Sequence, residues 1–451
     1  MKKLFLVLVF IPFFGISQDD DSLMVRKIYD EILTNGECYE NLRTLCKDVG
    51  ARLSGSPEAA KAVGWGEALL NSYEFDKVWL QEVMVPQWKR GKKESCILIG
   101  QDDVPLNVCA LGGSVNTNGT ISAKVVMVNS FEELDSLGEA AIKGNIVFFN
   151  TPMDQKQIRT FNAYGGCYPF RSKGPSKAAK YGALATVLRS LSTLTDHSPH
   201  TGVMRYEDGV PQIPAAAIGT ADADILEKAM LDKLDITLQL TMHCQTLPDV
   251  KSYNVIGEIT GNEHSDNYVI VGGHLDSWDI GEGAHDDGAG IVHSIEALRT
   301  LKAIGYKPKN TLRVVLFMNE ENGAKGAQKY AEEAKAKNEK HIAAIESDRG
   351  GFTPRGFSIS GTEKQFKQLE EWEKILMHYD LEYIVKGFAG VDIAPLKNGE
   401  TALIGFAPDS QRYFDLHHSE NDVFEMVHER ELKLGAASIT ALIYLIDKYG
   451  I

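Results

Sequence analysis

The sequence lacks the short motifs that mark several common enzyme classes. It contains no GxGxxG or Walker glycine loop and no GxSxG elbow, so it offers neither a phosphate-binding loop nor a serine nucleophile. Its six cysteines include no CxxC pair, which excludes zinc-finger spacing. With 47 basic and 62 acidic residues the net charge is −15, which argues against nucleic acid or an anionic membrane as a partner.

The chain also lacks an apolar run long enough to cross a membrane. The apolar run near the N-terminus, from Leu4 to Ile16, is shorter than the about 20 residues that a membrane span needs. It follows two lysines and ends among small residues, as a secretory signal peptide does. We therefore predict that residues 1–17 are a signal peptide cleaved near Ser17 and that the mature protein is exported, to the periplasm or beyond the cell.

Export permits disulfides, but the cysteine spacing does not favour them. The stretch from Cys38 to Cys46 has a helical pattern, which would separate these two residues by about 12 Å, beyond the reach of a disulfide. We predict buried free thiols.

The pattern of helices and strands divides the chain into two parts. Residues 18–96 and 248–451 contain alternating helical and strand-like segments, which predict parallel strands with crossover helices. Residues 97–247 have an α/β pattern of their own without a compact His/Asp/Glu cluster, so we interpret them as an inserted, non-catalytic domain. The predicted fold is α/β, with a mixed, largely parallel sheet that carries helices on both faces. Ligands of such sheets bind outside the carboxyl ends of the strands.

Histidines and acids follow the apolar strands of the second part. Each alone has an ordinary explanation, as a surface histidine, a helix N-cap or a solvated glutamate. Together they follow strands that share one sheet edge, which unrelated surface residues have no reason to do. These residues are His274 and Asp276 after YVIVGG, Asp286 and Asp287 before a helix, Glu320 and Glu321 after RVVLFMN, Asp348 after IAAIES, and His417 and His418 in FDLHHSEND.

Metal chemistry explains this acidic crowding. Two cations a few ångströms apart need imidazole and carboxylate ligands, with one carboxylate between them, and imidazole favours zinc over calcium or magnesium. Residues two apart on an extended chain share a face, so Asp276 can orient the ring of His274. One acid must stay off the metal to take a proton from the attacking water.

Four motifs in register, GHLDSWDIGEGAHDDGAG, NEENGAKGA, IESDRG and YFDLHHS, resemble those of the co-catalytic dizinc exopeptidases. Within that family the likeness is greatest to the carboxypeptidase Q group, and it runs from about residue 20 to the end. The bacterial leucine-type zinc aminopeptidases belong to the same family.

The resemblance implies a zinc exopeptidase fold and a role for each residue. Asp286 would bridge two Zn²⁺ ions, with His274 and Asp348 on one ion and Glu321 and His418 on the other. Glu320 would be the general base, and Asp276 would orient His274. The resemblance also implies a cis peptide between Asp286 and Asp287, and a protease-associated-like identity for residues 97–247.

Six further residues keep alternative explanations. Of the adjacent histidines the family pattern selects the second, which leaves His417 a structural role. The others are His285 and His293, with packing or surface roles, Asp279 and Asp287, which could support the ligands or cap helices, and Asp392, which could face a substrate amine or be a solvated loop acid.

We expect a secreted zinc exopeptidase that hydrolyses short peptides or dipeptides with a metal-activated water, and a homodimer is its candidate assembly. A zinc-dependent aminoacyl cyclase of the same fold is an alternative, although it would use one metal and usually lacks the inserted domain. A non-catalytic binding ectodomain is a second alternative, although such relatives are expected to lose ligands or the base. The motifs leave aminopeptidase, carboxypeptidase and dipeptidase specificity open.

Overall fold

The computed structural model describes residues 16–100, 102–232 and 236–451 of the chain. It contains one eight-stranded sheet and two smaller sheets. The strands are β1 Lys77–Lys89, β2 Ser95–Ile99, β3 Val104–Leu106, β4 Val108–Ala110, β5 Thr120–Ala123, β6 Val125–Val128, β7 Ile146–Phe149, β8 Ala185–Arg189, β9 Ala215–Ile218, β10 Thr237–Thr241, β11 Gln245–Ile259, β12 His264–His274, β13 Asn310–Phe317, β14 Lys340–Glu346, β15 Pro354–Ser360, β16 Tyr383–Lys386 and β17 Ala402–Pro408.

Eleven α-helices accompany these strands in the described ranges. They are α1 Ile16–Asn35, α2 Cys38–Thr44, α3 Pro57–Ser72, α4 Phe131–Ile142, α5 Thr160–Lys180, α6 Thr220–Leu231, α7 Ala289–Ala303, α8 Lys325–Ala336, α9 Glu363–Leu376, α10 Tyr413–Leu416 and α11 Glu429–Tyr449. Short π-helical turns extend α2 and precede α7.

The eight-stranded sheet has the order β1-β11-β13-β12-β14-β17-β15-β16. Its central strands β13, β12, β14 and β17 pair in parallel, while β1, β11 and β15 add antiparallel pairs. Along β12, Val269 and Val271 enter one apolar core and Ile270 enters another, because successive side chains of a strand point to opposite faces. Helices α7 and α11 lie over the first core and α8 over the second, so both faces are covered and the predicted fold class is confirmed.

Residues 90–244, which we call the insertion, leave the large sheet after β1 and return at β11. Five strands form a sheet in the order β4-β9-β8-β7-β6, and four form a second sheet in the order β3-β2-β10-β5. One apolar core lies between these two sheets, and another joins the five-stranded sheet to α5.

Apolar side chains join the insertion to the rest of the molecule. Trp278, which follows β12, is buried in the core between the two small sheets, where its ring meets the edge of Trp88. A separate cluster combines Cys167 and Leu191 of the insertion with Phe352 and Phe414. The loops after β12 and β17 are therefore packed against the insertion.

The predictions for the N-terminus and the thiols have different outcomes. The predicted signal peptide lies outside the described residues except for Ile16 and Ser17, which begin α1. Among the described helices we find none with both the length and the apolarity that a membrane span requires. All six cysteines are free and buried, as predicted.

Candidate active site

The carboxyl ends of three adjacent parallel strands bring the first predicted site residues together. His274 is the last residue of β12, Glu320 and Glu321 follow β13, and Asp348 follows β14. Because β12 pairs in parallel with both β13 and β14, these ends meet at one edge of the sheet. Asp286 comes from the turn that precedes α7, which packs against β12 and β13.

Asp286 lies between two pairs of side chains. Its Oδ1 is 3.2 Å from His274 Nε2, and the same nitrogen is 3.4 Å from Asp348 Oδ1. Its Oδ2 is 3.2 Å from His418 Nε2, which is 3.2 Å from Glu321 Oε2. The two oxygens of one carboxylate therefore face two separate groups, each with one imidazole and one further carboxylate. The peptide bond between Asp286 and Asp287 is cis, as predicted.

The adjacent His417 also approaches this centre. Its Nε2 is 3.7 Å from Asp286 Oδ2, farther than that of His418, and the two imidazole rings stack with centroids 3.5 Å apart. Together with Asp286, both histidines form a group whose ligand atoms could surround one ion. The structure thus places His417 within reach of the site but behind the ring of His418.

The donor set fits cations because two of its oxygens are buried without a hydrogen-bond partner. Asp286 Oδ2 and Glu321 Oε1 are such atoms, and burying an anionic oxygen without a partner is unfavourable. Burial and the charge of Asp286 together raise the pKa of Glu321 to about 7, although His418 opposes the shift. Burial lowers the pKa of His274, but Asp348 and Asp286 outweigh it and the net shift is upward. The carboxylates repel each other, and cations would relieve that repulsion.

Asp276 contacts both His274 and the turn that carries Glu320, through different atoms. Its backbone carbonyl accepts a hydrogen bond from His274 Nδ1 at 2.9 Å. Its carboxylate Oδ1 accepts from the backbone N–H groups of Asn319, at 2.7 Å, and Glu320, at 3.1 Å. The sequence spacing suggested that the residue orients the ring, and the structure adds that its side chain holds the turn after β13.

Glu320 lines the cleft that opens over these residues. Burial raises its pKa, and the charges of Asp348 and Glu321 add to that shift although His274 opposes it. Glu320 and Glu321 thus occupy different positions, since Glu321 points to His418.

Four residues that kept alternative explanations have structural or packing contacts. Asp287 accepts from the backbone N–H groups of His274, at 3.0 Å, and Gly290, at 3.1 Å, so it caps the start of α7 and holds the end of β12. His285 stacks on Phe352, and buried His293 contacts Ser347. Asp279 accepts two hydrogen bonds from Arg90.

Asp392 is not a solvated loop acid. It is 1% exposed, and neither carboxylate oxygen has a hydrogen-bond partner. Burial raises its pKa, and the neighbouring charges of Glu346 and Glu320 raise it further. Glu346 is itself buried and accepts from the backbone N–H groups of Val391 and Ile393, so this loop folds over a second acidic pair beside the site.

The sequence reasoning missed several supporting residues. Asp422 holds the backbone of the candidate bridge, since its carboxylate accepts from the N–H groups of His285, at 2.8 Å, and Asp286, at 3.1 Å. An acid four residues after His418 is visible in the sequence and could have indicated this supporting residue. Arg171 and Thr201 of the insertion touch His418, and no local pattern in the sequence indicates that contact.

A cleft of about 410 Å³ opens over these residues, between the large sheet and the insertion. One wall carries Asp286, Glu320 and Asp348, and the insertion contributes Phe161 and Arg171 to the opposite wall. A larger surface cavity, of about 680 Å³, is lined by other residues, and none of the predicted ligands or the predicted base lies there. The smaller cleft is therefore the candidate active site.

Comparison with known proteins identifies relatives over nearly the whole chain. The model of peptidase family M28 matches residues 254–442. Carboxypeptidase Q of Homo sapiens is 36% identical over 409 residues, which cover 90% of this chain and 84% of that protein. Carboxypeptidase Q of Xenopus laevis is 37% identical over 409 residues, which cover 90% of this chain and 85% of that protein.

Solved structures agree with these sequence matches. The crystal structure of a peptidase M28 precursor from Shewanella amazonensis has a TM-score of 0.91 and 31% identity, over 96% of this chain and 97% of that one. A zinc aminopeptidase from Bacillus subtilis shares the fold, with a TM-score of 0.65 and 17% identity over 90% of this chain and 94% of that one. The family predicted from the motifs is thereby confirmed, and the chain belongs to peptidase family M28.

Proposed function

We propose that this M28 peptidase is an exported, zinc-dependent exopeptidase that hydrolyses short peptides or dipeptides. The observation that carries the proposal is the position of Asp286, whose two oxygens face two separate groups of one imidazole and one carboxylate each. Such an arrangement suits two metal ions that share a bridging carboxylate.

Two Zn²⁺ ions fit the donor chemistry, because imidazole and carboxylate are common zinc ligands. His274, Asp286 and Asp348 would hold one ion, and Asp286, Glu321 and His418 the other. Zinc, when bound, polarises a carbonyl and lowers the pKa of a water molecule.

Glu320 is the proposed general base. Its carboxylate takes a proton from the attacking water and passes it to the amine that leaves. The residue lies beside the ligands without being assigned as one, and Asp276 fixes its backbone N–H. Asp276 is also the residue that orients His274, through its carbonyl oxygen.

The cleft supports a short substrate because the insertion forms its second wall. We propose that the insertion, predicted from the sequence as residues 97–247, is a protease-associated-like domain, that the chain is exported after cleavage near Ser17, and that it forms a homodimer. Size measurement in solution and N-terminal sequencing of the exported protein test the last two statements.

The two alternative functions are less well supported. An aminoacyl cyclase would use one metal, whereas the two oxygens of Asp286 face two separate imidazole–carboxylate pairs, which favours two ions. A non-catalytic ectodomain would have no need for Glu320 together with all five ligand side chains.

The test combines metal content with turnover. Purified protein should hold two zinc ions per chain and hydrolyse a plain dipeptide. The same dipeptides with a blocked amino end or an amidated carboxyl end will show which terminus the enzyme requires. Failure to hydrolyse any free dipeptide, or a content of one ion per chain, would contradict the proposal.

A further inference from the structure

Three residues of the insertion, His200, Thr201 and Gly202, contact the adjacent histidines His417 and His418. We call His200–Gly202 the contact segment. His200 Nδ1 donates to the His417 carbonyl at 2.6 Å, and the Thr201 N–H donates to the His418 carbonyl at 2.9 Å. His200 and Thr201 are buried. The backbone that carries His418 is therefore held by the insertion.

The contact segment also reaches the imidazole ring of His418. Nε2 of that ring faces Asp286 and Glu321, so it must carry the lone pair that binds a cation. The ring proton is then on Nδ1, which donates to the Thr201 carbonyl at 3.3 Å. His274 uses the same device, since its Nδ1 donates to the carbonyl of Asp276. One ring is thus oriented by its own part of the chain and the other by the insertion.

Arg171 of the insertion completes this arrangement. It is 2% exposed, and its Nη1 donates to the same Thr201 carbonyl at 3.4 Å. Its Nη2 lies 2.6 Å from the Tyr164 hydroxyl, to which it donates. A charged donor on the carbonyl keeps that acceptor in place behind the ring.

Gly202 leaves no space for a side chain at this point. A Cβ there would lie 2.3 Å from Arg171 Nη1 and 2.7 Å from His418 Nδ1. Its φ of +135° also disfavours other residues. The backbone of the contact segment therefore approaches the candidate ligand directly.

We propose that the insertion supports the metal site of Asp286, Glu321 and His418, which we call the second zinc site. The Thr201 carbonyl sets the tautomer and orientation of the His418 ring, and His200 positions the backbone of His417 and His418. Thr201, His200 and Arg171 are positioning residues. This inference rests on the two-zinc site of the proposed function. It predicts that disturbing the insertion weakens one zinc ion and spares the other, which His274 and Asp348 hold.

The first test compares two glycine substitutions. In Gly202→Ala the added methyl group displaces Arg171 and His418, whereas Gly209→Ala, in the same insertion, meets nothing within 4 Å although its φ of +77° is also positive. Zinc binding is measured by competition with a chromophoric chelator. We expect Gly202→Ala to bind the second zinc about 10- to 100-fold more weakly, the range seen when groups that support a ligand are changed. Gly209→Ala and the wild type should bind two ions alike.

A second pair of variants separates positioning from folding. His200→Ala removes the donor to the His417 carbonyl, while His200→Asn keeps an N–H donor on a side chain of similar reach. We expect His200→Ala to weaken the second zinc selectively and His200→Asn to restore it. The thermal midpoint of each variant in chelator shows whether the fold itself has changed.

The outcomes distinguish this inference from the proposed function. If the wild type binds fewer than two zinc ions, the proposed function fails and the inference fails with it. If the wild type binds two and all variants bind both equally well, only the inference is overturned. Equal weakening of both ions in Gly202→Ala and His200→Ala would also overturn it, since that indicates a general loss of structure.

Discussion

Glu320 and Glu321 are neighbours in the chain, but the turn after β13 places their side chains differently. Glu321 Oε2 lies 3.2 Å from His418 Nε2 within the candidate metal centre. Glu320 lines the cleft, and the carboxylate of Asp276 holds its backbone N–H. Two adjacent acids can therefore serve as a ligand and as a base without exchanging roles.

Glu320→Gln should separate proton transfer from metal binding. The amide has the same size but cannot accept the proton, so turnover should fall by roughly 10²–10⁴-fold, the usual contribution of general acid–base catalysis. Zinc content and the thermal midpoint should stay at wild-type values. The matched control is Glu332→Gln, an exposed glutamate on α8, which should retain full activity. Near-normal turnover of Glu320→Gln would contradict the role of Glu320.

His341 gives a prediction for acid stability away from the active site. It is buried, with Nε2 2.9 Å from the Tyr330 hydroxyl. Burial, assisted by the charge of Arg313, lowers the pKa of His341 to about 4, whereas an unfolded histidine titrates near 6.5. Because the folded pKa lies below the unfolded one, protonation favours the unfolded chain. Stability is therefore lost as the pH falls from about 6.5 towards 4.

His341→Gln removes this titration. The difference in thermal midpoint between wild type and variant should be constant above pH 7 and should move in favour of the variant as the pH falls. The expected shift in unfolding free energy by pH 4 is on the order of 2–3 kcal/mol. The same substitution at exposed His378 should show no such trend. A difference that does not depend on pH would show that His341 is not buried in its neutral form.

Some features of the candidate site could be predicted from the sequence and others could not. The clustering of the candidate ligands at strand ends could be predicted, because period-two apolar runs locate the strands and parallel pairing brings their ends together. The burial of Asp392 could not, since a loop that folds over a buried glutamate has the composition of any polar loop. The contact between Thr201 and His418 joins residues more than two hundred positions apart and has no local pattern.

At the scale of elements, Arg52 holds the segment that leads from β12 to the candidate bridge. Its side chain is fully buried and donates to the carbonyls of Leu275, at 2.7 Å, Glu282, at 2.7 Å, and Gly283, at 3.0 Å. These carbonyls lie on both sides of the loop that ends at Asp286. One side chain therefore closes a loop that has no regular structure of its own.

Arg52→Met should destabilise the folded protein, because the variant loses the hydrogen bonds to three loop carbonyls as well as the charge. The apolar side chain fills similar space but leaves buried carbonyls without donors, which is expected to lower stability by about 3 kcal/mol or more. The thermal midpoint should fall, and zinc should bind more weakly because Asp286 loses its support. Arg43→Met, at a half-exposed arginine paired with Glu40, should leave both unchanged. Equal midpoints for the two variants would contradict the role given to Arg52.

The boundaries of helices and strands were predictable where turn residues separate them in the sequence. They were less predictable where one helix follows another directly. The spacing of apolar residues from Asp19 to Val49 predicts continuous helix. The structure instead divides this stretch into α1, α2 and a π-helical turn, with the first break at Gly36. A Cβ on Gly36 would lie 2.3 Å from the carbonyl oxygen of Ile32, so the chain closes tightly there. The spacing of apolar residues alone does not reveal such a break, because apolar residues on both sides of it pack into the same core.

At the scale of the whole molecule, the candidate active site depends on both parts of the chain. The large sheet supplies the edge from which the candidate ligands project, and the insertion supplies the second wall of the cleft and the contacts behind His418. The apolar cluster of Cys167, Leu191, Phe352 and Phe414 crosses this boundary. The sequence predicted that an insertion exists, but its packing against the site follows only from the tertiary structure.

Metal removal should affect the whole molecule, because the acids at the centre are buried together. Without cations, burial and Asp286 raise the pKa of Glu321 to about 7, above its unfolded value near 4.5. That group favours folding below about pH 4.5, and its contribution is lost as the pH rises through 7. Zinc, once bound, would replace this proton and would stabilise the folded chain, by about 4 kcal/mol when free zinc exceeds its dissociation constant 1,000-fold. A strong chelator should therefore lower the thermal midpoint, and the gap between the zinc-loaded and metal-free proteins should widen from pH 5.5 to pH 8.

Added zinc should restore the midpoint, whereas magnesium, which prefers oxygen ligands, should not. A gap that is absent, or that narrows as the pH rises, would show that the buried carboxylates are not balanced by metal.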